Sequence, residues 1–488
     1  MKVLEGIEPK EVMTYFEEIC EIPHGSSNTG MISDYLVDFA KKNNLRYIRD
    51  EKNNVILFKN GTKGYETIKP VIIQGHMDMV CEKKPDCDID FDKDGLRLAV
   101  DGDVIYAEGT TLGGDDGIAV AFALALLADK GEISHPPLEV VLTVDEEIGM
   151  LGATALDCSP LTGKTMLNLD SEDEGVFLVS CAGGATMRCT RKINSVRIKS
   201  DNVYIISVKG CAGGHSGMEI IKESANANKV LGRVLYSLYG KKPFSIIDIE
   251  GGKKDNAIPR EASAFIAFDE AFDFDMERHI KEIEDTIKNE YKTTDCNISV
   301  TVERKNGYEG MAADESDSHI IIKMLYMLKN GISRMSSSIK NLVQTSLNLG
   351  IAKLEKREGD YEFICEFSVR SSVESEKNEL INENRCIMEC LGGVTDVAGT
   401  YPAWEYVPDS PLRKLMEEIF LDMYNKTPVI DAIHAGVECG IFAGKIPGLD
   451  CVSIGPDMEN IHTTEEKLHI RSVQRTWEFV KKILAGIK

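Results

Sequence analysis

Histidine and acidic residues recur at the ends of apolar runs in this sequence, a pattern suited to holding divalent cations. His76 and Asp78 follow the apolar run 71–74, and the two-residue period of a strand puts both side chains on one face. A carboxylate beside a ligating imidazole fixes its tautomer and raises its basicity. Asp115 and Asp116 lie in the glycine-rich segment Gly109-Thr110-Thr111-Leu112-Gly113-Gly114-Asp115-Asp116-Gly117, which opens an apolar helix. A phosphate loop is the rival reading of that segment, but acids at the helix mouth repel phosphate and no Gly-Lys-Ser/Thr follows. Asp145-Glu146-Glu147 closes the run 138–144, and Asp170 closes 166–169. His462 follows the run 451–454 and the turn Gly455-Pro456.

Taken singly, each segment has an ordinary structural explanation, such as a solvated acidic turn or an acidic helix start favoured by the macrodipole. Jointly they put carboxylates and imidazoles at the ends of five segments on one sheet edge, where ligands of open α/β sheets bind. Oxygen and imidazole donors without thiolate suit zinc, manganese or cobalt. Two such ions, roughly 3.5 to 4 Å apart, lower the pKa of a water between them and polarise a carbonyl.

These residues need a scaffold. Residues 1–186 alternate helical and strand patterns: Val12, Phe16 and Ile19 at helical spacing, strands at 54–58, 71–74, 138–144 and 166–169, and a buried helix at 117–128. Continuous apolar strands separated by helices predict an α/β fold around a largely parallel, covered sheet. Residues 396–488 resume that style, with a helix at 412–424, a strand at 451–454 and a final helix from Thr464, for which Thr463 and Glu466 have capping-box spacing. Residues 187–395 differ. Strand 203–208, helix 225–239, strands 244–249 and 262–268 and helix 276–291 form one α/β unit. A looser second copy follows, with strand 298–302, helix 319–328, strands 347–354 and 363–369 and helix 379–390. The sequence thus predicts a domain in two parts, 1–186 and 396–488, interrupted by an inserted α/β lid of two related units.

A chain of 488 residues, 43% hydrophobic and 28% charged, fits two globular domains. Its 80 acidic against 56 basic residues give a net charge of −24, which disfavours nucleic acid and anionic membranes as partners. No basic and apolar leader precedes the first helical pattern, and no apolar run spans a bilayer, so the expected location is the cytoplasm. The thirteen scattered cysteines contain no Cys-x-x-Cys pair and predict neither a disulfide framework nor a thiolate zinc site.

The segments Gln74-Gly75-His76-Met77-Asp78-Met79-Val80, Gly109 to Gly117, Asn168-Leu169-Asp170-Ser171-Glu172 and His434-Ala435-Gly436-Val437-Glu438-Cys439-Gly440 resemble those of the dimetal zinc exopeptidases and deacylases. That family includes carboxypeptidase G, aminoacylase, peptidase T and the Xaa-His dipeptidases, and the last branch is the most similar. The resemblance implies that His76 and Asp170 bind one metal, that Glu147 and His462 bind the other, and that Asp115 bridges them. It implies further that Asp78 orients His76, that Glu146 is the base taking a proton from the attacking water, and that the peptide bond after Asp115 is cis. Gly213-Gly214-His215-Ser216-Gly217, Asn256-Ala257-Ile258-Pro259-Arg260 and Ser368-Val369-Arg370-Ser371 resemble the family's lid motifs. On that likeness His215 stabilises the oxyanion, and Asn256 and Arg370 hold the substrate carboxylate. Gly114 and Asp116 stand where relatives have alanine and asparagine, and neither is expected to touch a ligand. His24, His135, His279, His319 and His469 are read as surface or structural.

The implied activity is hydrolysis of dipeptides, Xaa-His and carnosine among them. Two other functions stay open at this stage: deacylation of N-acyl amino acids, and metal or peptide binding without catalysis. The resemblance also implies pairing of two chains through the lid, against which stands an enlarged lid that supplies His215 within its own chain.

Overall fold

A computed structural model describes residues 2–270, 275–357 and 360–488. The chain forms two compact units: Met1–Ser180 with Tyr406–Ala432 and Val437–Lys488, and Cys181–Glu405 with Ile433–Gly436. The crossovers fall at 180 and 405 rather than at 186 and 395. Strands Gly183–Ile193 and Val394–Tyr401 account for the difference, because they pair with each other in the second unit's sheet.

The first unit is built on an eight-stranded mixed sheet. Its centre is parallel, with Leu138–Thr143, Val71–His76, Thr165–Asn168 and Asp450–Ser453 in that order. Antiparallel strands flank this centre, Val55–Lys59 on one side and Val176–Cys181 on the other. Every residue of Val71–His76 and Leu138–Thr143 is buried, as expected of parallel strands covered on both faces. Helix Gly114–Ala128 is apolar all round and buried along nearly its whole length, the pattern of a helix enclosed by its own domain.

The predicted final helix starts later than expected. Residues 463–466 form a turn, strand Lys467–His469 follows, and the helix runs Ile470–Gly486. Glu466 does not cap that helix, because its carboxylate is committed elsewhere, as described below.

The second unit is built on a nine-stranded antiparallel sheet with helices, beside two two-stranded ladders, and it contains a repeat whose division differs from the expected one. Strand Asn202–Lys209, helix Ala227–Tyr239, strands Ser245–Gly251 and Ala262–Phe268, helix Met276–Glu290 and strand Ser299–Lys305 make one βαββαβ unit. Strand Gly183–Ile193, helix Glu315–Met327, strands Val343–Arg357 and Asp360–Ser371, helix Glu374–Cys390 and strand Val394–Tyr401 make the other. In both, the strands lie in the order fourth, first, third, second, the split βαβ arrangement. Ser299–Lys305 therefore closes the first copy, which is itself inserted into the first connection of the second. The two halves join where Glu250 pairs with Lys353 and Gly251 with Ala352.

Candidate metal centre and substrate-binding residues

The parallel register decides which side chains meet. Val71–His76 lies between Leu138–Thr143 and Thr165–Asn168, with His76 beside Thr143 and Gln74 beside Asn168. Residues just past these strand ends, Asp78, Asp145 to Glu147 and Asp170, therefore share the carboxyl edge of the sheet. Helix Gly114–Ala128 brings in Asp115 through a non-helical first turn, and the Asp115–Asp116 peptide bond is cis. His462 arrives on the loop between the paired strands Met458–Glu459 and Lys467–His469.

The five expected ligands converge. His76 Nε2 lies 3.0 Å from Asp115 Oδ1 and 3.5 Å from Asp170 Oδ1. His462 Nε2 lies 3.0 Å from Asp115 Oδ2 and 2.9 Å from Glu147 Oε1. Asp115 thus faces a different imidazole with each oxygen. Two groups of ligand atoms are close enough to enclose an ion, His76 with Asp115 and Glu147, and His76 with Asp116 and Asp170. Asp116 does touch a proposed ligand after all: its Oδ2 accepts the main-chain N–H of His76 at 3.0 Å.

Charge supports the same reading. Burial raises Glu146 to about 9, with Asp170, Glu438 and Glu147 adding to it. Burial likewise raises Asp170 and Glu147. Burial disfavours the His76 cation, yet Asp170, Asp115 and Asp78 hold its pKa well above the ordinary value. So many acids crowded into one buried edge, with two imidazoles between them, lack a counter-charge that divalent cations would supply. The donor set therefore fits metal ions, and its lack of thiolate fits zinc, manganese or cobalt.

Asp78 connects two parts of this centre. Its Oδ1 accepts the main-chain N–H of Glu146 at 3.1 Å and lies 3.5 Å from His76 Nδ1, while its Oδ2 accepts from Ser26 Oγ at 2.8 Å. His76 Nδ1 is closer still, at 2.9 Å, to the main-chain oxygen of Asp78.

Sequence reasoning missed the buried polar layer beneath these groups. Glu438 accepts from Gln74 Nε2 at 2.5 Å and from Thr143 Oγ1 at 2.6 Å, and Asn168 Nδ2 donates to Gln74 Oε1 at 2.5 Å. This layer links the three strands that carry His76, Glu147 and Asp170. Gln74, Asn168 and Glu438 lay inside the quoted motifs, Thr143 in the apolar run 138–144, and polar residues within otherwise apolar strands were the available signal.

The remaining expected residues lie in the second unit. His215 pairs with Ala257 in a two-residue ladder, and Ser216 donates its N–H to Asn256 O at 2.9 Å, so His215 and Asn256 are neighbours. Asn348 Nδ2 holds that turn through Asp255 O at 2.8 Å and Ala257 O at 2.9 Å. Arg370 is buried, donates from Nη1 to Tyr401 Oη at 3.1 Å, and leaves its Nε without a hydrogen-bond partner. A Cβ added to Gly217 would meet His434 O at 2.6 Å, His215 Cε1 at 3.1 Å and Arg370 Nε at 3.3 Å, so these three groups close on one point. His434 was not assigned a role from sequence. Its Nε2 is 2.7 Å from Ser346 Oγ and its Nδ1 has no partner. Of the other histidines, His24 and His135 are buried.

The chain is similar to known proteins over its whole length. The chain is 35% identical over 489 residues to the cytosol non-specific dipeptidase of Escherichia coli (strain K12), covering 100% of this chain and 99% of that protein. The crystal structure of aminoacylhistidine dipeptidase from Vibrio alginolyticus superimposes with a TM-score of 0.91 at 33% identity, covering 99% of this chain and 98% of the other. An aminopeptidase structure from Bacillus cereus shares the fold, with a TM-score of 0.55 at 16% identity over 99% of both chains. Residues 72–486 match the model of peptidase family M20/M25/M40, and with a relative of this identity over its full length the chain belongs to that family.

Proposed function

We propose that this protein is a cytoplasmic dimetal dipeptidase that cleaves Xaa-His dipeptides, carnosine included. The observation that carries the reading is Asp115, whose two carboxylate oxygens each lie 3.0 Å from a different imidazole, the placement a bridging ligand needs. His76 and Asp170 would hold one ion, and Glu147 and His462 the other. When bound, the metals supply Lewis acidity toward the scissile carbonyl and lower the pKa of water. Glu146, tied to Asp78 through its own backbone, takes the proton of the attacking water and returns it to the leaving amine. Arg370 and Asn256 receive the peptide's terminal carboxylate, a task that suits the fork of a guanidinium with unpaired N–H groups. His215 donates to the oxyanion. The names of the two full-length relatives support a dipeptide substrate, and the second of them supports histidine at the second position. Among the described residues no helix is long and apolar enough to cross a membrane.

The test is to strip the protein with a chelator, restore zinc, manganese or cobalt separately, and assay carnosine, other dipeptides and acetylated amino acids. Hydrolysis of Xaa-His dipeptides ahead of the rest is expected. Preference for the acetylated amino acids would make it a deacylase, and metal binding without any hydrolysis would make it a binding protein. Glu146→Gln should reduce turnover by roughly 10²–10⁴-fold while metal content stays that of the parent.

A further inference from the structure

The loop that carries Asp115 is gripped by a carboxylate from the far end of the chain. Glu466, only 3% exposed, accepts the main-chain N–H of Leu112 at 2.8 Å and of Gly113 at 3.2 Å on Oε2. On Oε1 it accepts those of Gly114 at 2.9 Å and Asp115 at 3.4 Å. Gly113 has a φ of +66°, a left-handed conformation open to glycine that helps turn successive N–H groups toward one centre. A Cβ at Gly114 would lie 3.2 Å from Met458 Sδ and 3.3 Å from Glu466 Oε1, so a side chain there would press on the gripping carboxylate.

These amides form the N-terminus of helix Gly114–Ala128, a place that attracts an anion. Asp115 and Asp116 stand in the first turn of that helix, but neither accepts these N–H groups. Glu466 takes the amides, and both oxygens of Asp115 stay turned toward His76 and His462. Glu466 also belongs to the same hairpin loop as His462, between Met458–Glu459 and Lys467–His469. The second of these strands is in turn paired to Val104–Ala107. One hairpin therefore touches Asp115 twice, at its amide through Glu466 and at its carboxylate through His462.

We propose that Glu466 is a positioning residue for the metal pair: by occupying the helix N-terminus it keeps Asp115 free to bridge, and it fixes His462 and Asp115 relative to each other. This rests on the two-metal reading above, and the experiment separates the two ideas. The chelated full-length protein is titrated with Mn²⁺, reading free ion and the magnetic coupling between bound ions by electron paramagnetic resonance. The parent is expected to bind two coupled ions; a parent that does not would overturn the two-metal reading itself. In Glu466→Gln, the amide keeps one oxygen for N–H groups but sets an NH₂ against the others. That variant should lose affinity for at least one ion by roughly 10–100-fold, as is typical when a partner of a metal ligand is removed, and should lose the coupled signal at Mn²⁺ concentrations that saturate the parent. Excess Mn²⁺ should restore most of kcat, since Glu466 touches no reacting atom. Glu466→Asp, which keeps the charge on a shorter stem, should fall between the two. If both variants bind two coupled ions with the parent's affinity and differ from it only in melting temperature, Glu466 is structural and the proposal is wrong.

Discussion

The carboxylate of Asp78 accepts the backbone N–H of Glu146 at 3.1 Å while lying 3.5 Å from the ring of His76. One residue thus contacts both the proposed base and a proposed ligand, its carboxylate at the Glu146 backbone and its main-chain oxygen 2.9 Å from His76 Nδ1. Asp78→Ala should lower kcat on a dipeptide by roughly 10–100-fold and weaken metal retention, the range seen when groups behind metal ligands are removed. Asp78→Asn keeps an oxygen for the Glu146 amide but loses the charge, so it should recover part of kcat. Equal kcat and equal metal content in Asp78→Ala and the parent would rule out this coupling.

Arg370 gives the second prediction. Its Nε is buried without a hydrogen-bond partner while Nη1 is fixed by Tyr401, so the guanidinium is held in place with donors to spare. Replacing it with lysine keeps the charge and removes the fork. Arg370→Lys should raise KM for dipeptides by roughly 10–100-fold, corresponding to about 1.5–3 kcal/mol for a hydrogen bond to a charged group, with a smaller change in kcat. A dipeptide amide, which lacks the carboxylate, should discriminate far less between the variant and the parent. Loss of kcat alone, at constant KM, would contradict the assignment.

Four of the five proposed ligand positions, His76, Asp115, Glu147 and Asp170, were legible because each lies just past an apolar strand or opens an apolar helix, and a parallel sheet brings such ends to one edge whatever the distance between them in sequence; His462 arrives instead on a hairpin loop. Glu466 was not legible. Thr463 and Glu466 satisfy a capping-box spacing as well as any helix start, and only the fold reveals that the carboxylate reaches back to residues 112–115. The repeat in the second unit was visible as an order of elements, but its division was misplaced because one copy interrupts the other. Strand Gly183–Ile193 meets the rest of its own copy only across that insertion, through pairing with Asp360–Ser371. Local pattern carries no record of such pairing.

Stability of the second unit should depend on Asn226. Its side chain caps helix Ala227–Tyr239 by accepting from Lys229 N at 3.2 Å. Its Nδ2 reaches Asn348 Oδ1 at 3.1 Å, Asn330 Oδ1 at 3.1 Å and Leu349 O at 3.0 Å. Asn226→Ala removes the cap and strips buried acceptors of a donor, so a loss of about 2–4 kcal/mol is expected. Urea denaturation should show a lower midpoint. A midpoint equal to the parent's would mean that water replaces the amide at no cost.

His434 supplies a pH dependence whose sign is fixed by its surroundings. It is 6% exposed, and burial first, then the charges of Arg370 and His215, lower its pKa to about 3. The unfolded chain binds a proton on this ring below about pH 6.5, where the folded chain does not until about pH 3. Stability from this group therefore falls as pH drops through that window, at about 1.4 kcal/mol per pH unit. Removing the ring removes the slope. In urea titrations, the stability of the parent minus that of His434→Gln should be about 2 kcal/mol smaller at pH 5 than at pH 8, whatever the substitution costs at neutral pH. A difference that stays constant over this range would show that His434 titrates in the folded protein as it does in the unfolded chain, and one that grows as pH falls would show a folded imidazolium held by a partner; either result contradicts the assignment.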